Sequence, residues 1–537
     1  MEAPIRNNYK KRGFALITAL FLMVLFFILM GVMLDNLNNE LVYTGMHGRS
    51  NAALRAAYLG VEEMQYQFEL NDAKLLAGQT PAPQSKTYTD TDGTQVTYNV
   101  VVDGQQWPVT PPYFLIHSQG TAGTSTRKVD ALIQKQPYSA YSLFTISEQN
   151  NVGGVVWYAQ GENFDGPVYS GGPMRIFYQS GATPPPIFSQ TVTTAANPVW
   201  APGAPMTGAD WAAIIQNQSD FKQVSQALTL PDASSNAEVQ NAAFTGNPSP
   251  SSAPTFPTAT GLYINGNNVT GGGAGTLTTG LYVVGDAFIT SSAVADTTQT
   301  FTFQIAQNTC APITSLSCGP IQTYTVIVDF VGKTTTVKDG SGAQLASYTG
   351  VPSGEQPFGV TGQNGAIWAT KGMWLNAGNT FTGKYALAVP DAQGLTNPNL
   401  YIAGSQQYAD VARDELAYWA NDIVLWDTIS ANIEVDGLIL TGFYGECSSV
   451  CNDGTFKNQF CTAVPLCTGG TGVLTLRGTL VENVRGKRGT LGTASGFSTD
   501  VIFDPRLART PPPFTPSTTQ FNVVALCTVD VGKTCGQ

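Results

Sequence analysis

Charge is scarce in this 537-residue chain. Only 12% of its residues are Asp, Glu, Lys or Arg, about half the ~25% usual for soluble domains. Histidine is limited to His47 and His117, so Ser-His-Asp and Cys-His arrangements have little to draw on. No phosphate-binding or dinucleotide glycine fingerprint occurs. The first 309 residues contain no cysteine. These gaps lead to the expectation of a non-enzyme that binds no cofactor and no metal.

Gly, Thr, Ser, Asn and Gln fill the space that charge leaves. Thr and aromatics favour strands, while Gly and Asn favour bends, so the composition predicts β-structure with many turns. With 42% hydrophobic and 10% aromatic residues, the chain has enough apolar surface to fold. Its length predicts two or three domains. Net charge is −11, and Arg6, Lys10, Lys11 and Arg12 crowd the N-terminus against Glu2 alone. Beyond residue 13 the balance falls to 22 basic against 36 acidic residues. A field of that sign repels a polyanion at long range, so any contact with nucleic acid requires a local patch.

The one long apolar run, Phe14–Leu34, holds 21 residues without a charge. That length crosses the ~30 Å hydrocarbon layer as a helix. The preceding Lys-Lys-Arg predicts a cytoplasmic N-terminus, and no small-x-small site follows as a secretory signal would need. Gly13 sits at the cytoplasmic edge of the span. The sequence KKRG-FALI resembles the class III leader of type IV prepilins, which implies cleavage between Gly13 and Phe14 and a methylated N-terminus. An ordinary single-span anchor is the alternative. Beyond the span, Ala53, Ala57, Val61, Met64 and Phe68 recur at helical spacing, predicting one continuous helix to about Leu70. Arg12 to Glu69, with AALRAAYLGVEEM, resembles PilX-type minor pilins. Major pilins of that family carry glutamate five residues after the cut, where this chain has Thr18. The departure fits a subunit at the filament tip.

Eight cysteines follow: Cys310, Cys318, Cys447, Cys451, Cys461, Cys467, Cys527 and Cys535. An even count in close pairs reads as disulfides formed outside the cytoplasm. Cys310–Cys318 and Cys527–Cys535 are the natural local bridges, and the central quartet allows three connectivities. Zinc is the rival for that quartet, although its C-x3-C-x9-C-x5-C spacing lacks the tight knuckle of structural sites.

Residues 86–102 alternate around Asp92-Gly93, a hairpin signal, and 112–134 read as two more strands around a Gly-rich turn. Further on, GLYING (261–266), GLYVVG (280–285), NLYIAG (399–404), GLILTG (437–442) and VLTLRG (473–478) form a loose repeat. Gly266 and Gly285 are 19 residues apart, and the later closing glycines Gly404, Gly442 and Gly478 are spaced by 38 and 36. That rhythm predicts one or two coils of a β-solenoid; chance strand-plus-turn matches are the alternative. Thr207–Ala227 reads as a short helical excursion, Asn247–Thr260 as an extended loop, and 299–338 as antiparallel hairpins.

NFDGPVYSGG (163–172), DELAYWANDIVLW (414–426) and the stretch from VIFDPRL to PPPF (501–514) resemble the large ComZ-like minor pilins of the Thermus–Deinococcus type, in which a solenoid is inserted into a pilin domain. The expected fold is an α+β pilin module, a long helix with an antiparallel sheet, carrying a large all-β solenoid-like insertion. Its expected parts are a leader (1–13), a transmembrane and stalk helix (14–70), a pilin sheet (71–138), a solenoid-like body (139–515) with a hairpin insertion at about 291–345, and a disulfide-bearing C-terminal strand (516–537). The resemblance implies a minor pilin at or near a pilus tip, held in the inner membrane before assembly and then extracellular, with other pilins as partners through the N-terminal helix.

For DNA capture in natural transformation, the candidates are Arg477, Arg485, Lys487, Arg488, Arg506 and Arg509. Only Glu482, Asp500 and Asp504 oppose them within 477–509, and a Gly-flexed VRGKRGT loop can follow a phosphate backbone. A solvated turn is the bland alternative. An adhesin or pilus-assembly subunit competes with DNA capture. A surface carbohydrate-active enzyme is the alternative of another class, with Asp165, Asp286 and Asp504 as generic carboxylates that more ordinarily serve turns and caps.

Overall fold

The computed structural model describes residues 10–70, 80–90, 93–103, 113–148, 155–178, 185–201, 208–216, 221–224, 227–230, 234–306, 319–354, 364–390, 400–426, 432–442, 454–458, 471–489 and 496–529. Two compact units emerge. The first comprises Met1–Gln106, Phe114–Gln134 and Phe521–Gln537; the second comprises Trp107–Tyr113 and Lys135–Gln520.

The first unit is a long N-terminal helix with a sheet. The helix runs unbroken from Lys10 to Leu70, 61 residues or about 90 Å at 1.5 Å per residue. Its outer part packs as the periodicity requires: Ala53, Ala57, Val61, Met64 and Phe68 are all buried. The five-stranded sheet has the order Gln84–Thr89, Gln95–Val102, Tyr113–Ala122, Ser125–Pro137, Ser517–Val529. The first two strands form the hairpin that Asp92-Gly93 signals, with Gln84 opposite Val100 and Gly93 at φ +82°. Small residues let helix and sheet approach closely. A Cβ added at Gly120 would overlap the Ala53 carbonyl and the Ala57 amide, so only glycine fits there. Phe68, Phe114 and Phe521 close the far end, with Phe68 4.7 Å from Phe114 and 5.3 Å from Phe521 between ring centroids.

The second unit is a sheet-rich body whose strands stack mainly in parallel. One ladder joins Leu281, Ile367, Leu387, Tyr418, Ile439, Leu480, Leu143, Val168, Val192 and Phe221, each opposite the next. A second joins Ala287, Met373, Leu400, Ile423 and Phe456. A third joins Asn379, Gln406, Val435, Leu476, Val501, Phe164 and Phe188. The apolar members of these rows, from Leu143 to Val501, share one buried cluster, with the half-buried Phe221 packed against it. No strand buries such a row unaided; each depends on the neighbours above and below.

The other face of the first ladder is also covered. Tyr282, Trp368, Trp419, Leu440, Val481, Phe144 and Tyr169 are buried beneath the helix Ser234–Thr245 and the Tyr138–Tyr141 segment. These strands therefore read as continuous apolar runs without alternation, as sheets covered on both faces do. An antiparallel meander extends from the second ladder through Asp286–Val294, Thr298–Ala306, Ile321–Asp329, Thr334–Asp339 and Gln344–Thr349.

Two sequence expectations change here. The Gly-closed repeats do not occupy equivalent places: GLYVVG and GLILTG supply the first ladder, NLYIAG the second and VLTLRG the third. GLYING pairs with GLYVVG antiparallel, Gly261 opposite Val284. The 19-residue rhythm is thus a recurrent strand-plus-turn, not the repeat of the stack. Within the helical excursion read at Thr207–Ala227, helix covers Gly208–Ile214 among the described residues, and Phe221–Gln223 is a strand parallel to Val192–Thr194.

Candidate functional site

Two places carry the functional expectations: the N-terminal helix and the cationic stretch 477–509. The helix divides by solvent contact. Ile17 through Met46 present exposed apolar side chains, among them Ile17 (68%), Phe21 (67%) and Met33 (67%). From Ala52 onward the packed face is buried. This helix is the one among the described residues that is long and apolar enough to cross a membrane. The Gly13–Phe14 bond lies in its first turns.

The cationic stretch is not a surface patch. Arg485 is 1% exposed. Its Nη2 donates to both carboxylate oxygens of Glu162 at 2.8 Å, and its guanidinium carbon lies 3.7 Å from the Tyr158 ring centroid. Glu148 is 4.0 Å away and accepts hydrogen bonds from Tyr158 Oη (2.8 Å) and Thr145 Oγ1 (2.7 Å). Burial disfavours the charged guanidinium, but Glu162, Tyr158 and Glu148 outweigh it and raise the pKa above the ordinary arginine value. Arg488, 3% exposed, pairs with Glu482 at 3.2 Å and donates Nε–H to Thr499 at 3.1 Å. Glu482 is fully buried, and desolvation raises its pKa against the pull of Arg488 and the amides of Phe456 and Gly486.

The remaining cations differ in their surroundings. Arg477 bonds Glu434 at 3.0 Å and approaches Asp436 at 3.5 Å. Arg506 bonds Asp504 at 2.6 Å. Lys487 is half-buried and Arg509 exposed. Four of the six proposed phosphate contacts are therefore committed to carboxylates, and two of those, Arg485 and Arg488, are buried out of reach of a phosphate backbone passing over the surface. The correction has a plain cause. A charge count along 477–509 sees Glu482, Asp500 and Asp504, whereas parallel stacking sets Asp436 directly opposite Arg477. Stacking also pairs Val484 with Ser147 and Asp500 with Asn163, which brings Glu148 and Glu162 alongside.

The carboxylates singled out in the sequence have separate places. Asp165 is exposed. Asp286 is buried and accepts from the Gly372 amide at 2.8 Å. Asp504 caps the turn Pro505–Arg509 through the Arg506 amide at 3.0 Å. Sequence reasoning missed Asp436, which burial pushes up to about 7 and whose Oδ2 accepts from the Tyr408 amide at 2.8 Å. No local motif marks it. Among the described residues no cluster of His, Cys, Asp and Glu could hold a metal. His117 bonds Asp130 at 2.8 Å, and His47 lies on the exposed part of the helix. Cys527 is disulfide-bonded; the other seven cysteines lie outside the described residues.

No family model matches the chain, and no curated protein matches it. Among solved structures it is similar to the competence-associated pilin ComZ from Thermus thermophilus, at 13% identity and a TM-score of 0.28, covering 90% of this chain and 98% of that one.

Proposed function

We propose that this chain is a minor type IV pilin-like subunit. Its N-terminal helix holds it in the inner membrane and later in a filament, and it presents a β-solenoid body outside the cell. One observation carries the reading: a single helix exposes 30 residues of mostly apolar surface, Ile17 to Met46, and then packs its next turns onto an antiparallel sheet. The exposed part suits lipid and then the matching helices of other pilins. Thr18 at the fifth position after Gly13 supports placement at or near the tip. For the body, the parallel ladders support a solenoid, and its role is adhesion or contact within the assembly.

Processing tests the assignment. Co-expression with a prepilin peptidase should remove residues 1–13 and leave a methylated Phe14, read by intact mass and N-terminal sequencing, and Gly13→Leu should block it. Uncleaved wild-type chain in the presence of active peptidase would overturn the assignment.

DNA capture is the second reading, supported by Lys487 and Arg509. Two phosphate contacts give a log–log salt slope of only about −2, and the acidic remainder opposes approach. A mobility-shift series at rising salt decides it. Binding lost in the Lys487→Ala, Arg509→Ala double variant supports capture; no binding at low salt removes it.

A further inference from the structure

We infer that the helix–sheet unit holds a binding site for an organic cation, an alkylammonium or guanidinium group, in a cleft between the helix and the edge strand. The cleft has a volume of about 370 Å³, within the ~300–1,000 Å³ of small-molecule sites. One wall is a helical stripe one step round from the packed face: Leu59, Glu62, Glu63 and Tyr66. Their spacing of three and four residues sets them on one side of the helix. The other wall comes from the sheet. Lys86 and Tyr88 are two apart on the edge strand and share a face, and Tyr98 lies opposite Lys86.

The lining suits a cation. The rings of Tyr66 and Tyr88 offer negative faces, and the carboxylates of Glu62 and Glu63 face one ammonium, that of Lys86, leaving one net negative charge. Arg55, the nearby cation on the helix, is already paired with Asp90. Glu63 is held in place, since Gln67 Nε2 donates to its Oε1 at 2.9 Å and Tyr98 Oη approaches its Oε2 at 3.4 Å. Tyr98 is buried, while Tyr66, on the helix wall, is 55% exposed. An anion meets two like charges here, and a neutral apolar guest leaves the carboxylates without gain. A lipid headgroup is a poor source, because Leu59 stands 25 residues beyond Leu34, about 38 Å along the helix. The cation is therefore a free amine or a Lys or Arg side chain of another protein.

The test uses the full chain in a non-ionic detergent with no choline headgroup, titrated by calorimetry at constant ionic strength. The probes are tetramethylammonium chloride, a Gly-Gly-Lys-Gly-Gly peptide and neopentyl alcohol as the neutral analogue. We expect saturable binding of a cation with a Kd of about 1 mM or tighter and none of the alcohol. Tyr66→Ala and Glu63→Gln should each weaken binding about tenfold, and Lys86→Gln should tighten it by removing the like charge. Tighter binding of the peptide than of the free ion assigns the site to a protein-borne cation, and the reverse to a small amine. Circular dichroism confirms that the variants remain folded, as expected for side chains lining an open cleft. Equal affinity for the alcohol, indifference to Glu63→Gln and Tyr66→Ala, or no saturation by about 20 mM of either cation overturns the inference.

Discussion

The two units build their interiors by different means. In the helix–sheet unit the core depends on close approach: Ala52, Ala53, Ala56 and Ala57 lie against a sheet whose Gly120 leaves no room for a side chain. In the body the core depends on stacking, where a side chain's neighbours are its counterparts in the strands above and below. The first design tolerates little added volume. The second tolerates polar steps if each is answered, as where Asn379 Nδ2 donates to Gln406 Oε1 at 2.9 Å inside the stack. Charge follows the same division. The helix–sheet unit keeps most of its charges in water, whereas the body buries Arg485, Arg488, Glu148 and Glu482.

Gly120→Val should have the largest effect. The new branches collide with helix backbone, so the helix must lift, at a cost of about 4 kcal/mol or more. Hydrogen exchange should rise across residues 52–68 and leave the body strands unchanged; protection retained over 52–68 would break the close-approach account. Arg485→Ala tests the body. It strands Glu162 and Glu148 without their cation and should cost about 3–5 kcal/mol, measured as a lower urea midpoint with exchange rising in 143–147 and 480–484. A loss under about 1 kcal/mol would mean that solvent reaches the pair.

Asp436 sharpens the comparison through pH. Its folded pKa is raised to about 7 by burial, despite the Tyr408 amide and Arg477. A carboxyl raised above its unfolded value holds a proton that the unfolded chain has lost, so stability falls as pH rises from about 4 to 7. Asp436→Asn should therefore stabilise the body at pH 8 by about 4 kcal/mol relative to its effect at pH 4, read from urea midpoints at both values. A pH-independent difference would show that Arg477 fully compensates the charge. The smallest effect belongs to Lys487→Ala, expected within about 0.5 kcal/mol of wild type. A larger loss would reveal a carboxylate partner beyond those described.

Legibility in the sequence divides along the same boundary. The packed stripe Ala53, Ala57, Val61, Met64 and Phe68 was readable because its period is local, and so was the turn at Gly93. The body's partners are not local. Twenty residues separate Ile367 from Leu387, but forty-one separate Ile439 from Leu480. No fixed period survives such variation, and strands buried on both faces lose the alternation that marks a register. The cationic loop failed for the same reason, because Glu162 lies 323 residues from Arg485. The cleft beside Tyr66 had a partial signal in Glu62 and Glu63 off the packing face. Its second wall appears only once the helix overhangs Gln84–Thr89.

The order of the first ladder also sets the order of events during synthesis. Leu143 rests on Leu480, so the strands made first in the body join the stack beside some of those made last. Until residue 480 emerges, Leu143–Ser147 has Val168–Ser170 on one side and nothing on the other. Closing a gap of more than 300 residues is slow, and the waiting edge is a template for the wrong strand. The body is thus a lock whose first tumbler is set last, and a chain halted anywhere before residue 480 leaves the ribosome with that edge open.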